Sequence, residues 1–134
     1  MKLPSSDIRQ AIYTSLSTLG RPVNSGTHQL WVTPCYYIGN IVSIQDDCKG
    51  AFGSDNDIIV ESIVDFDGTN GSWQQVDDYA SEASVQLTTQ PLTLSSNYNV
   101  NIRLVGSNQV EEDLSNGKLR YRRIMNFRIL LQQI

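Results

Sequence analysis

The C-terminal segment Lys118–Leu131 constrains the fold most, because two kinds of side chain alternate along it. Apolar residues share one parity: Leu119, Tyr121, Met125, Phe127, Ile129 and Leu131. Basic residues share the other parity: Lys118, Arg120, Arg122 and Arg128. Successive side chains of a strand point to opposite faces of a sheet. The segment is therefore predicted to be a long strand with one buried face and one basic face.

Further strands are predicted upstream. Tyr36–Ile44 is rich in aromatic and β-branched residues, and Tyr98–Val105 alternates apolar with polar side chains. Ile58–Phe66 places Glu61 and Asp65 on one face, and the opposite face carries Ile58, Val60, Val64 and Phe66. Residues 27–33 are a candidate for a short additional strand.

Two segments have the spacing of amphipathic helices. Residues 6–19 place apolar side chains at Ile8, Ile12, Leu16 and Leu19, and Gly20 follows as a stop signal. A second helix is predicted to open at Ser72, which forms a capping box with Gln75. Its apolar stripe consists of Trp73, Val76, Ala80, Ala83 and Leu87.

Polar stretches separate these elements and are predicted to be connections: residues 21–26, 46–57, 67–71 and 106–117. The resulting order is helix, two strands, helix, two strands. Strands joined by hairpins favour an antiparallel sheet. We therefore expect one α+β domain over residues 1–134, with a mainly antiparallel four-stranded sheet and two helices packed on one face.

Charge is segregated along the chain. Residues 46–82 contain ten acidic residues and one base, Lys49, whereas residues 103–128 contain six bases and three acids. A molecule with unlike charged surfaces can pair head to tail with copies of itself, and such contacts close into rings when the rotation allows. The alternative interpretation is two solvated faces.

The residues that carry chemistry are few. His28 is the single histidine, and with Cys35 and Cys48 it cannot complete a structural zinc site, so both cysteines are expected to be buried free thiols. The segment Asp65–Gly71 is similar to a calcium loop, but its twelfth position is Val76 where glutamate is needed. No nucleophile–base motif is present. We therefore predict no enzymatic activity, no metal and no cofactor.

Membranes and nucleic acid are two other classes of partner. The uninterrupted apolar runs are only a few residues long, so no membrane-spanning helix is expected. The basic face of Lys118–Leu131 could bind phosphates of nucleic acid, although no stacking aromatic shares its parity.

Two runs carry a resemblance to a known family. Asp7–Tyr13 resembles the opening helix, and Leu119–Ile129 the closing strand, of the tail terminator (tail completion) proteins of long-tailed bacteriophages. The order of elements between these runs matches as well. The resemblance implies a virion structural protein that forms a homo-hexameric ring at the tail–neck junction. Such a ring caps the tail tube, stops its polymerisation and joins it to the neck or head-completion protein, while genomic DNA passes through the channel.

On this reading the chain is assembled in the host cytoplasm, and its charged residues divide into three groups. The subunit interface or channel would use Arg103, Lys118, Arg120, Arg122 and Arg128. The acidic surface of the adjoining copy would use Glu61, Asp65, Asp77 and Asp78. The partner-contacting loops would contain Asp46, Asp47, Asp55, Asp57, Glu111, Glu112 and Asp113. The alternatives are another neck or head–tail connector ring, or a nucleic-acid-binding module that uses the basic strand.

Overall fold

The computed structural model describes residues 5–25, 32–45, 53–67, 72–92, 94, 98–114 and 117–133. In chain order the elements are α1 (Ser5–Ser17), β1 (Val23–Asn24), β2 (Cys35–Gln45), β3 (Gly53–Asp67), α2 (Trp73–Thr89), β4 (Tyr98–Asp113) and β5 (Lys118–Gln133). Both predicted helices and the four predicted strands with clear alternation are present, with shifted ends.

The five strands form one mixed sheet in the order β1-β2-β3-β5-β4. β1 pairs with β2 in parallel, and every other neighbouring pair is antiparallel. The α+β class is confirmed, whereas the prediction of a four-stranded antiparallel sheet is wrong. Val23–Asn24 adds the fifth strand, and a two-residue strand is too short to show any periodicity in sequence.

Both helices pack on the same face of the sheet. The core there combines one parity of the strands with the apolar stripes of α1 and α2, which include Ile12, Leu16 and Leu87. Ala80 and Ala83 are buried in α2, and their small side chains let the helix lie close to the strands. Ser72 caps α2, since its Oγ accepts a hydrogen bond of 3.3 Å from the backbone nitrogen of Gln74.

An arginine fixes α2 against β2. Arg21 lies 3.7 Å over the ring of Tyr79 and donates to the hydroxyl of Tyr36 at 3.0 Å and to Glu82 at 2.5 Å. The buried Tyr36 in turn donates its hydroxyl to the carbonyl of Tyr79 at 2.8 Å. These contacts satisfy the polar atoms at the helix–sheet boundary, where an unpaired hydroxyl would be costly.

Two predicted connections are partly strand. Residues 53–57 belong to β3, so Asp55 and Asp57 do not lie in a loop. The strand was not predicted because polar side chains occupy both of its faces. The buried Asn56 donates to Ser54 Oγ at 2.9 Å and to the Ile129 carbonyl at 3.2 Å.

The second correction concerns β4, which continues through Asp113, so Glu111, Glu112 and Asp113 are strand residues. Residues 106–109 are exposed on both faces, and their backbone pairs with β5 as the edge of the sheet. An edge strand of this kind needs no apolar side, which is why its sequence resembles a loop. Of the candidate strand 27–33, residues 27–31 lie outside the described part of the chain, and Val32 and Thr33 are not in a strand.

The edge strand β4 and the strand β2 each contain an irregularity. In β4 the register passes from Leu104 to Gly106, leaving Val105 as an extra residue. In β2 the register shifts between Ile38 and Ile41, and the guanidinium of Arg9 donates to the carbonyls of Ile38 at 3.1 Å and Gly39 at 2.9 Å. A side chain of helix α1 thus satisfies the backbone carbonyls in the irregular part of β2.

Candidate assembly surface

The sheet face opposite the helices carries rows of unlike charges, and we call it the ionic face. Its members come from three adjacent strands: Asp55, Asp57, Glu61 and Asp65 of β3, Arg120, Arg122 and Arg128 of β5, and Arg103 and Glu112 of β4. The antiparallel β3–β5 register places the acids of one strand beside the bases of the next. Cross-strand neighbours of opposite charge attract each other.

The first pair joins residues that lie directly opposite each other, Arg120 and Asp65. Arg120 Nε is 2.8 Å from Asp65 Oδ1, and Nη2 is 3.1 Å from Oδ2, so the pair is bidentate. The hydrogen bond to Asp65 raises the pKa of Arg120 above its ordinary value. Both side chains are largely buried.

The second group centres on Arg122. Its Nε donates to Glu61 Oε1 at 2.6 Å, and its Nη1 contacts Glu112 of the edge strand. The hydrogen bond to Glu61 raises the pKa of Arg122. Only 4% of the Glu61 side chain and 17% of the Arg122 side chain are exposed. Arg122 therefore ties all three strands together at a largely dehydrated point.

The third pair lies at the other end of the ionic face. Arg128 Nε donates to Asp55 Oδ1 at 2.9 Å, and this hydrogen bond lowers the pKa of the Asp55 carboxyl. Arg103 of β4 stands directly across from Arg128, so two like charges face each other there. This corner of the ionic face carries positive charge on its β4 side and the carboxylates of Asp55 and Asp57 on its β3 side.

The structure thus brings together, within one chain, residues that the sequence analysis divided between two copies. Arg120, Arg122 and Arg128 contact acids of the same chain. Among the predicted acidic surface residues, Glu61 and Asp65 are two of those partners. The role of the five bases at a subunit interface or channel stays a prediction.

The other two acids of that predicted surface lie elsewhere. Asp77 is 3.7 Å from Arg123 on the helix side of the sheet, and Asp78 accepts a hydrogen bond from Gln74. Lys118 stands across from Asp67 at the end of β5. The predicted loop residues Asp46 and Asp47, together with His28 and Cys48, lie outside the described residues.

Within the described ranges, no group of three or more His, Cys, Asp or Glu side chains could hold a metal ion. Cys35 is a buried free thiol, and burial raises its pKa to about 11. No helix in the described part of the chain is long and apolar enough to cross a membrane.

Sequence reasoning missed the two open edges of the sheet. Among the described residues, β4 is the last strand on one side, and on the other side β1 covers Tyr36 and Tyr37 of β2. Exposed apolar side chains lie at both edges: Val42 is 59%, Ile44 63% and Val105 62% exposed. The alternation of apolar and polar residues does not reveal which strands are outermost, so the sheet edges can be located only once the strand order is known.

Comparison with known proteins gives a match in structure and none in sequence. No protein-family model matches the chain. No curated protein matches it either. Among solved structures, a chain from the virion of a native gene transfer agent (GTA) particle is similar in fold, with a TM-score of 0.61 and 17% sequence identity. The likeness covers 96% of this chain and 98% of that chain.

Proposed function

We propose that this protein is a virion structural protein, a tail terminator whose copies form a ring that caps the tail tube and joins it to the neck. The observation that carries the proposal is the fold likeness to a chain of a gene transfer agent virion, which spans nearly the full length of both chains. The family resemblance of Asp7–Tyr13 and Leu119–Ile129 supports the same assignment.

Physical requirements of termination agree with this fold. A terminator matches the last layer of the tube on one side and offers no matching surface on the other. A sheet with helices on one face and charges on the opposite face has two sides that differ in shape and chemistry. Repetition of weak contacts around a ring supplies avidity, so each single contact can be modest.

The intramolecular ion pairs weigh against the nucleic-acid-binding alternative. Binding to a phosphate backbone draws its free energy from cations that release counterions. Arg120, Arg122 and Arg128 already contact carboxylates of the same chain, so phosphate binding would first have to break those contacts. DNA in the channel would accordingly pass without tight binding to these arginines.

The same fold likeness also supports a second candidate, another neck or head–tail connector ring. Loss of the protein separates the two. Without a terminator the tube has no stop, so electron micrographs of particles from a deletion strain should show tails of uncontrolled length. Without a connector, tails of normal length should accumulate apart from filled heads.

The control is complementation by the wild-type gene supplied in trans, which should restore normal particles. Normal tails attached to heads in the deletion strain would contradict both assignments. Labelling the subunit in complemented particles should place it at the tail–neck junction, and density elsewhere would also contradict the proposal.

A further inference from the structure

Within the described ranges, the two outer edges of the sheet, formed by β4 and by the part of β2 beyond β1, have little protection against pairing. Soluble proteins block long edge strands with charges, proline, bulges or coverage by other elements. β2 contains neither a charged residue nor proline, and between Tyr98 and Val110 β4 has Arg103 as its one charge. β4 does contain a bulge at Val105, and Arg9 occupies carbonyls of β2 up to Gly39. Residues 40–45 of β2 follow the carbonyls that Arg9 occupies, and residues 98–104 of β4 precede the bulge, so these parts of the two edges are free of both features.

Strand directions make the two edges complementary. The strands β2, β3, β5 and β4 alternate in direction, because each neighbouring pair is antiparallel. If a second copy continues the sheet in the same orientation, its β2 runs antiparallel to β4 of the first copy. Along residues 40–45, beyond the two residues that β1 covers, this pairing continues the alternation.

The two edges also lie at the same level along the strands. Following the register across the sheet, Val42 pairs with Asp57, Asp57 with Arg128, and Arg128 with Arg103. In the same way Ile41 leads through Ile58 and Phe127 to Leu104. A rotation about an axis roughly parallel to the strands therefore brings residues 41–45 of one copy beside residues 100–104 of the next.

Charge favours this contact at the same level. Arg103, Val42 and Asp57 all belong to the ionic face, since the register places them in one row. Across the joint, Arg103 would be separated from Asp57 of the second copy by one strand, about 10 Å between backbones. An extended arginine side chain spans most of that distance. Within its own chain Arg103 faces the like charge of Arg128, and the contact would add the carboxylate of Asp57 from the second copy to its surroundings.

We propose that the β4 edge of one copy pairs with residues 40–45 of β2 in the next copy, so that a continuous antiparallel sheet runs around the ring. The contact joins two different surfaces and is therefore heterologous, which is the kind that closes into rings. This inference deepens the proposed terminator function and rests on it for the ring that the contact completes.

Two variants, each blocked at one edge, test the contact. Val42→Lys with Ile44→Lys places charge on the β2 edge, and Asn99→Lys with Asn101→Lys does so within residues 98–104 of the β4 edge, all at exposed positions. Val32→Lys is the matched control, since it changes an exposed valine outside both edges. Dispersed amide spectra establish that each variant is folded.

The mixture should behave differently from either variant alone. We expect the ¹⁵N-labelled β4-edge variant, titrated with the unlabelled β2-edge variant, to show shifts at the amides of residues 40–45. Sedimentation should show a 1:1 complex and no larger species. With the labels exchanged, shifts should appear along residues 98–104. Neither variant should self-associate, whereas the Val32→Lys control should associate like the wild type.

A second, milder variant keeps the test decisive if a double variant fails to fold. Arg103→Glu should weaken the contact about fivefold, and added salt should weaken the wild-type contact while changing the variant less. Absence of shifts up to about 1 mM overturns the proposal, because that concentration detects even millimolar affinity. Shifts confined to other residues, or self-association of either blocked variant, overturn it equally.

The outcome is separable from that of the proposed function. If tails in the deletion strain have uncontrolled length and no contact between the edges is measured, only the edge-pairing proposal is refuted. A measured contact between the edges combined with normal particles in the deletion strain removes the terminator function and leaves the contact standing.

Discussion

Replacement of Arg122 by leucine should destabilise the fold strongly. The guanidinium of Arg122 lies 2.6 Å from the carboxylate of Glu61, and the Glu61 side chain is almost completely buried. Removal of one partner of a buried ion pair leaves the other charge uncompensated, which costs about 3–5 kcal/mol. That is a large part of the roughly 5–15 kcal/mol by which domains of this size are stable.

The double variant Glu61→Leu with Arg122→Leu should recover most of that loss. It removes both charges of the buried pair, and replacement of such a pair by apolar side chains is often neutral or stabilising. Glu112 also loses its contact with Arg122, but its side chain is partly exposed to water. Urea denaturation at pH 7, followed by circular dichroism, measures the free energies of unfolding, and an unchanged slope shows that the midpoints report stability.

Arg123 provides the matched control, since it is the next residue and points to the other face. It lies 3.7 Å from Asp77, and both side chains are partly exposed. Arg123→Leu should therefore cost less than about 1 kcal/mol. Equal losses for the Arg122 and Arg123 variants, or a double variant as unstable as Arg122→Leu, would refute the reasoning.

Three further predictions concern single residues. Asp55→Asn should lower the urea midpoint at pH 7. Because Arg128 lowers the pKa of Asp55, the pair stabilises the fold above the unfolded-state pKa of about 3.9. The difference in midpoint between wild type and variant should close as the pH falls through the lower folded-state pKa. Ser72→Ala should cost about 1 kcal/mol in urea denaturation through loss of the α2 cap, and no loss would show that the cap is dispensable. In a Cys48→Ser background, the buried Cys35 thiol, with its pKa of about 11, should resist a thiol reagent at pH 8 until guanidinium unfolds the chain; rapid labelling of the folded protein would contradict its burial.

The parts of the fold that were predictable from sequence are those in which one side is buried. The stripe of α2 and the apolar parity of Ile58–Phe66 and Lys118–Leu131 follow from burial against the helix-side core, and the structure contains them. In the middle of β3 the other face is buried as well, at Glu61 and Ile63. Residues 106–113 bury little, and their strand depends on backbone pairing with β5. No side-chain pattern records such pairing, so this part of β4 was predicted as a connection.

The ionic face shows the same limit for the candidate site. Sequence parity correctly grouped Glu61 with Asp65, and Arg120 with Arg122. It could not show that β3 and β5 are neighbours, which depends on strand order. The pairing within one chain changes the meaning of a charge reversal at Arg120 and Arg122: such a variant would disturb folding as well as assembly.

The extra residue in β4, Val105, changes which residue numbers face each side of the sheet: odd-numbered residues face the ionic side before it and even-numbered residues after it. Before Val105, Arg103 shares the ionic face; after it, Glu112 does, although an uninterrupted strand would point positions 103 and 112 to opposite sides. If Val105 instead took a regular place in the ladder, without the bulge, the two halves of the strand could not both keep their present faces. If residues 98–104 kept their present alignment, Glu112 would turn toward the helices and leave Arg122. One residue thus lets a single strand belong to the same charged surface at both of its ends.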